Sequence, residues 1–203
     1  STNAYKKLLE LSEENNFKVE INNDLLDEIW DDRPRVPKDK IILHDINFCG
    51  ESRTDKISNV REKMKLLKVK SFILTSLDDI AWLFNIRGND VKFNPVVMAY
   101  AIITIDEVTL YIDNDKVTDD IISEFKSQNI TIKGYEEIIY DVKALTVSVY
   151  IDPSKVNASI FKAIPKEVKV IEGTNITASL KAIKNKIELR NLENCQVRDG
   201  VAM

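Results

Sequence analysis

The stretch "SLDDIAWLFNIRGNDVKFNPV", residues 76–96, decides how the chain is read. Ser76, with Asp79 three residues on, has the form of a capping box, although Asp is a poorer partner there than Glu. Ile80, Leu83 and Phe84 share one helical face with Trp82 beside them, so the spacing predicts a short helix with the tryptophan in a core. The helix then gives way to Arg87-Gly88-Asn89-Asp90 and to Asn94-Pro95, in a chain with only 5 glycines. Two roles are open for this loop. In one, Gly88 supplies a positive φ that ends the helix, Arg87 pairs with Asp78 or Asp90, and Asn94 satisfies backbone groups ahead of Pro95. In the other, the loop projects Arg87 and Asn94 into a cleft made with another domain.

The flanks extend the pattern. Upstream, "SFILTS" (71–76) reads as a buried strand. It follows a segment, 52–69, that opens with Ser and Thr caps and puts Ile57, Val60, Met64 and Leu67 on one face. Downstream, "VVMAYAIITI" (96–105) and "VTLYID" (108–113) flank Asp106-Glu107, the signature of a β-hairpin. Helical and strand-like segments then alternate: helix 115–128, strand 130–135, helix 135–145 and strand 147–152. They continue with a helix over 153–164 that has Pro153 in its first turn, and a strand at 168–173. Residues 174–203 read as helical with a break at 184–186. An initial hairpin followed by alternating elements predicts an α/β fold, a mixed β-sheet flanked by helices.

The amino-terminal part is different. A helical stripe covers 3–15, "FKVEI" (17–21) alternates like a short strand, and 22–30 resembles another helical turn. Residues 31–40, "DDRPRVPKDK", carry two prolines and seven charges and read as a linker.

Composition narrows the function. With 33 acidic against 29 basic residues the net charge is −4, which gives no footprint for nucleic acid. The longest apolar stretch, 95–105, is too short to span a bilayer, and the start has no secretory-signal pattern. Cys49 and Cys195 match no metal spacing and are expected to be reduced thiols; the single histidine, His44, cannot build a multi-histidine metal site. Asp113, Asp115, Asp119 and Asp120 lack the central Gly and terminal Glu of an EF-hand and read as a solvated charge run. Asp152, at a strand end before Pro153, suits capping of the next helix better than a metal site of the RNase H-like kind. No phosphate loop, nucleophile elbow or HExxH is present. The chain does not begin with Met and reads as part of something longer.

The order of motifs resembles the three-domain, cytosolic-type Xaa-Pro aminopeptidases. "YKKL", "LLDEIWDDRPRVP", "DKISNVREKM", "LDDIAWLFNIRGNDVKFNPVVMAYAIIT", "LYID", "IEGTN", "LKAIKN" and "RDGVAM" occur in family order over nearly the whole chain. The W-L-F-N-x-R-G-N-D-x-x-x-N-P-V run is the most specific of them. The resemblance implies a creatinase/prolidase N-terminal-domain-like, RNase H-like fold without the pita-bread catalytic domain. Residues 1–40 would then be the end of an N-terminal domain and its linker, 41–178 a creatinase-like middle domain, and 179–203 the first helix leading into the catalytic domain. It implies no catalytic residue, metal ligand or cofactor in this chain, with Arg87 and Asn94 as the substrate-cleft or interdomain candidates. The parent would be a cytoplasmic hydrolase with two manganese ions in its catalytic domain, removing the residue before a proline. The partners implied are the parent's own N-terminal and catalytic domains and a peptide substrate, with neither nucleic acid nor membrane. A protein-interaction module from a relative that has lost its metal ligands is the alternative.

Overall fold

The computed structural model describes residues 1–21, 23, 25, 26 and 29–203. The elements in chain order are α1 (Thr2–Asn15), β1 (Ile42–Leu43), α2 (Ile46–Cys49), α3 (Arg53–Leu66), β2 (Ser71–Leu74), α4 (Leu77–Leu83) and β3 (Ile86–Arg87). Next come β4 (Ala99–Thr104), β5 (Val108–Ile112), α5 (Asp119–Ser127), β6 (Ile130–Lys133), α6 (Ile138–Lys143) and β7 (Val149–Ile151). The chain ends with α7 (Ala158–Ala163), β8 (Val170–Glu172), α8 (Ile176–Ala182) and α9 (Lys186–Ala202).

Six strands form a mixed sheet in the order β6-β5-β4-β2-β7-β8. The hairpin pairs antiparallel, β4 on β5, and β4 also runs antiparallel to β2; the β5–β6, β2–β7 and β7–β8 pairs are parallel. The period of two explains the burial on both faces. On β2, Phe72 and Leu74 join one core with Ile57, Val60 and Met64 of α3, Leu83 of α4 and Phe125 of α5. Ile73, one residue out of phase, joins the second core with Val142 of α6 and Ile160 of α7. Helices therefore cover both faces, as the alternation predicts. The hairpin turn closes on Thr104, whose Oγ1 accepts from Glu107 N at 2.8 Å.

Several local expectations change. Residues 17–21 form no strand. The helical turn expected over 22–30 falls in part on residues 22, 24, 27 and 28, which lie outside the described residues. Leu67 does not extend the buried stripe of α3; it terminates the helix and stays 43% exposed. Pro153 does not open a helix. Residues 153–156 make a turn closed by Val156 N on Asp152 O, and α7 starts later under Asn157, whose side chain accepts from Ile160 N. Asp152 caps that turn instead, its Oδ1 accepting from Ser154 N at 2.9 Å and its Oδ2 from Asn175 N at 3.0 Å. Among the described residues no helix is long and apolar enough to cross a membrane.

Candidate functional site

The site grows from the end of α4. The left-handed residue that ends this helix is Asn85, with φ 50°, a conformation asparagine tolerates better than most residues. Gly88 is not left-handed; it gives the returning loop room, since a Cβ there would sit 3.1 Å from Val96 O and 3.1 Å from Val97 Cβ, a tight contact. Asn85 then ties several segments together. Its Oδ1 accepts from Lys56 Nζ at 2.7 Å, its Nδ2 donates to Glu51 O at 2.9 Å, and its carbonyl accepts from His44 N at 2.7 Å. Lys56 is 1% exposed; its ammonium also donates to Trp82 O at 3.0 Å and lies 4.5 Å from the Trp82 ring centroid. A cation thus sits at the carboxyl end of α4, where the helix dipole favours it, although burial holds its pKa below the ordinary lysine value.

Arg87 repeats this arrangement. Its Nη1 donates to Ala81 O at 2.9 Å and to Ile86 O at 2.8 Å, so it pairs with neither Asp78 nor Asp90. The geometry explains why. Asp78 lies at the opposite end of α4 and meets Lys181 of α8, whereas Asp90 is buried against Lys116, with both side chains 1% exposed. Trp82 packs against the main core from its edge: it is partly buried, and its Nε1 has no hydrogen-bond partner. The capping box at Ser76 does not form either. The Ser76 side chain makes no cap hydrogen bond, and its Oγ and Asp79 Oδ2 both accept from Asn175 Nδ2 at 2.9 Å.

Arg87 and Asn94 do not converge. Asn94 is exposed at the tip of the loop, where its N donates to Val91 O at 3.0 Å, and it lines a recess of about 250 Å³ beside Phe93 and Pro95. Arg87 instead lines a cleft of about 820 Å³ with His44, Phe48, Lys56 and Trp82 on one wall. The other wall is α9, with Glu188, Leu192 and Arg198. Burial, and then the charges of Arg87 and Lys56, hold the His44 pKa below its ordinary value, and burial lowers that of Arg87 as well.

Sequence reasoning missed the second wall. The start of α9 is a capping box in which Asn185 Oδ1 accepts from Ile187 N and Glu188 N, while Glu188 Oε2 accepts from Asn185 N at 3.0 Å. The Asn185-x-x-Glu188 pattern was the available signal. What it could not convey is that Asn185 Nδ2 reaches Cys49 O at 2.8 Å, 136 positions away. Gly50 permits that approach: it has φ +67°, and a Cβ there would lie 2.4 Å from Asn185 Oδ1. One helical stretch further on, Asn191 Nδ2 donates to Asn47 O at 3.1 Å. Both cysteines, Cys49 and Cys195, are free thiols.

Among the described residues no group of three or more His, Cys, Asp or Glu side chains could hold a metal ion. The one histidine stacks on Phe48 at 5.7 Å and faces Arg87 and Lys56, surroundings that oppose a divalent cation. The aspartates at 113–120 do not gather either: Asp113 Oδ1 accepts from Asp115 N at 2.9 Å, and Asp115 pairs with Lys38 at 2.6 Å.

Comparison with known proteins gives these features a setting. A probable Xaa-Pro aminopeptidase P of Talaromyces stipitatus is 37% identical over 98% of this chain, which covers 32% of that protein. One of Neosartorya fischeri is 37% identical over 91% of the chain and is covered to 30%. The chain therefore spans about a third of the length of the curated relatives it matches. Among solved structures, the X-prolyl aminopeptidase of Caenorhabditis elegans, a cytosolic enzyme with a di-nuclear active site, superposes with a TM-score of 0.88 at 29% identity. That match covers 96% of this chain and 33% of the other. Residues 32–188 match the creatinase/prolidase N-terminal domain, and the chain belongs to that family.

Proposed function

We propose that this chain is the non-catalytic middle domain, with its flanking segments, of a metal-dependent Xaa-Pro aminopeptidase that removes the N-terminal residue preceding a proline. The observation that carries the reading is the match of almost the whole chain, at 37% identity, to only 32% of an Xaa-Pro aminopeptidase P. Residues 1–40 are assigned to the end of a preceding domain and its linker, 41–178 to the middle domain, and 179–203 to the entry into the catalytic domain. Packing supports the first boundary, since Ile41 is the first residue of the main core. At the second, α8 straddles residue 178 and Leu180 still packs on the core. Among the described residues no group fits a dinuclear metal centre, and the two metal ions, assigned as manganese, are placed with the catalytic domain. The parent is assigned to the cytoplasm. Arg87 and Asn94 are assigned to interdomain or substrate-cleft surfaces, on two separate faces.

The test compares this chain with the longer protein in a manganese-supplemented assay on an Xaa-Pro-Pro peptide. The longer protein is expected to release the first residue and the 203-residue chain to release none. Metal-dependent turnover by the chain alone would refute the domain assignment. A longer protein that binds no metal and cleaves nothing would leave the interaction-module reading in its place.

A further inference from the structure

The cleft beside α9 carries an excess of positive charge. Lys56, Arg87, Lys184 and Arg198 all line it, against one carboxylate, Glu188. That carboxylate accepts from Asn185 N to cap α9, and with Glu51 it offsets only part of the charge, at Lys56. None of the four cations meets a carboxylate among the described residues. Lys56 donates to Trp82 O and Asn85 Oδ1, Arg87 to two backbone carbonyls, Lys184 to Lys181 O and Arg198 to Cys195 Sγ. In a chain of net charge −4, four cations against one carboxylate on one concavity are a local reversal of sign. Lys56 is buried and Arg87 partly so, while Lys184 and Arg198 are exposed; holding the first two cations out of water with no carboxylate in contact is costly, and the cost falls when an anion arrives.

The donors and the shape narrow the chemistry. Only Nη1 of Arg87 is used, which leaves Nε and Nη2 as a planar fork for two oxygens. Trp82 Nε1 is buried without an acceptor. The indole and the stacked His44–Phe48 pair supply flat apolar walls, and about 820 Å³ is the size of a small-molecule pocket. We propose that this cleft binds a carboxylate carried on a planar apolar frame, with Arg87 as the fork, Lys56 and Arg198 as supporting charges, and the Trp82–Phe48 walls holding the frame. This site is independent of the peptidase reading.

The reporter is built in. The chain has 2 tryptophans, and the Trp30→Phe variant leaves Trp82 alone, so benzoate binding is read as quenching of its fluorescence. Saturable quenching is expected with an apparent Kd on the order of 1 mM, weaker with acetate and weaker again as salt rises. Arg87→Met is expected to lose about tenfold in affinity. Arg198→Gln, on the exposed rim where folding is not at stake, should lose about threefold. Repeating the titration on the longer protein separates two sources of the same chemistry. Benzoate binding there as in this chain means a free anion is the ligand. Binding to this chain alone means that a carboxylate from sequence beyond Met203 occupies the cleft. No saturable quenching in this chain, or quenching indifferent to both Arg87→Met and Arg198→Gln, would overturn the proposal. Failure of the peptidase assay would leave the titration of this chain unaffected.

Discussion

Replacing Lys116 by Met tests how the loop after α4 is held. Lys116 and Asp90 form an ion pair in which both side chains are 1% exposed. Asp90 Oδ2 also accepts from Met98 N at 2.6 Å, and Oδ1 has no hydrogen-bond partner. The pair therefore joins the loop after β3 to the turn that follows β5, while Lys116 O accepts from Ile41 N at 2.9 Å. Removing the ammonium leaves a buried carboxylate with one backbone N–H for company. Breaking a buried pair in this way costs about 3–5 kcal/mol. With a urea m-value of about 2 kcal/mol/M, the midpoint should fall by about 1.5–2.5 M. The double variant Asp90→Leu/Lys116→Met removes both charges and orphans only Met98 N, a loss of about 1–3 kcal/mol. It should therefore be more stable than the single variant. Urea melts followed by circular dichroism measure all three proteins. A single variant within about 1 kcal/mol of the parent, or a double variant no better than the single, would refute the reasoning.

Three further outcomes follow from the same geometry. Phe84, 0% exposed and stacked on Phe125 at 6.2 Å, should cost about 3–5 kcal/mol on truncation to Ala. Trp82→Ala, at a ring that packs on the edge of the core and stays partly exposed, should cost less, about 2 kcal/mol, and urea melts showing Trp82→Ala as the worse variant would refute that placement. Gly50→Ala should cost about 1–3 kcal/mol through its positive φ and the displaced Asn185. Hydrogen exchange should show that loss in the amides of α9 before those of β4. His44 has a folded pKa below its unfolded value of 6.5 because of burial and the Arg87 and Lys56 charges. The unfolded state then binds more protons, so stability is full above that value and falls as pH drops through and below it. His44→Gln should flatten the decline in melting temperature from pH 7 to pH 5, and an unchanged slope would show that His44 is not its source.

Much of the architecture was legible because period-two and helical patterns report burial directly. Phe72, Ile73 and Leu74 had to sit in a two-faced strand, and Asp106-Glu107 between apolar runs had to turn. The errors around α4 have one physical origin. Local sequence says that a turn is needed but not which residue adopts it, and Asn85 took the left-handed position because Lys56 and Glu51 also needed its amide. Gly88 answered a steric demand from Val96 and Val97, which lies in the third dimension. Arg87 was matched to nearby aspartates by proximity in sequence, whereas helix ends offer carbonyls that compete for a cation. For the cleft, the sequence displayed every cation but not the return of α9 across α2, which alone makes them neighbours.

That return has a mechanical consequence. Among the described residues, the side chains of α9 that hydrogen-bond to the rest of the fold are Asn185 at its cap and Asn191, and Val197 and Val201 stand 68% and 84% exposed. The helix is a cantilever, clamped over its first turns and about 25 Å long at 1.5 Å per residue. On such a beam a tilt of about 10° at the clamp moves the tip by about 4 Å. The Gly50–Asn185 contact is therefore a fulcrum, where a change smaller than a bond length sets the direction in which the free end of α9 points.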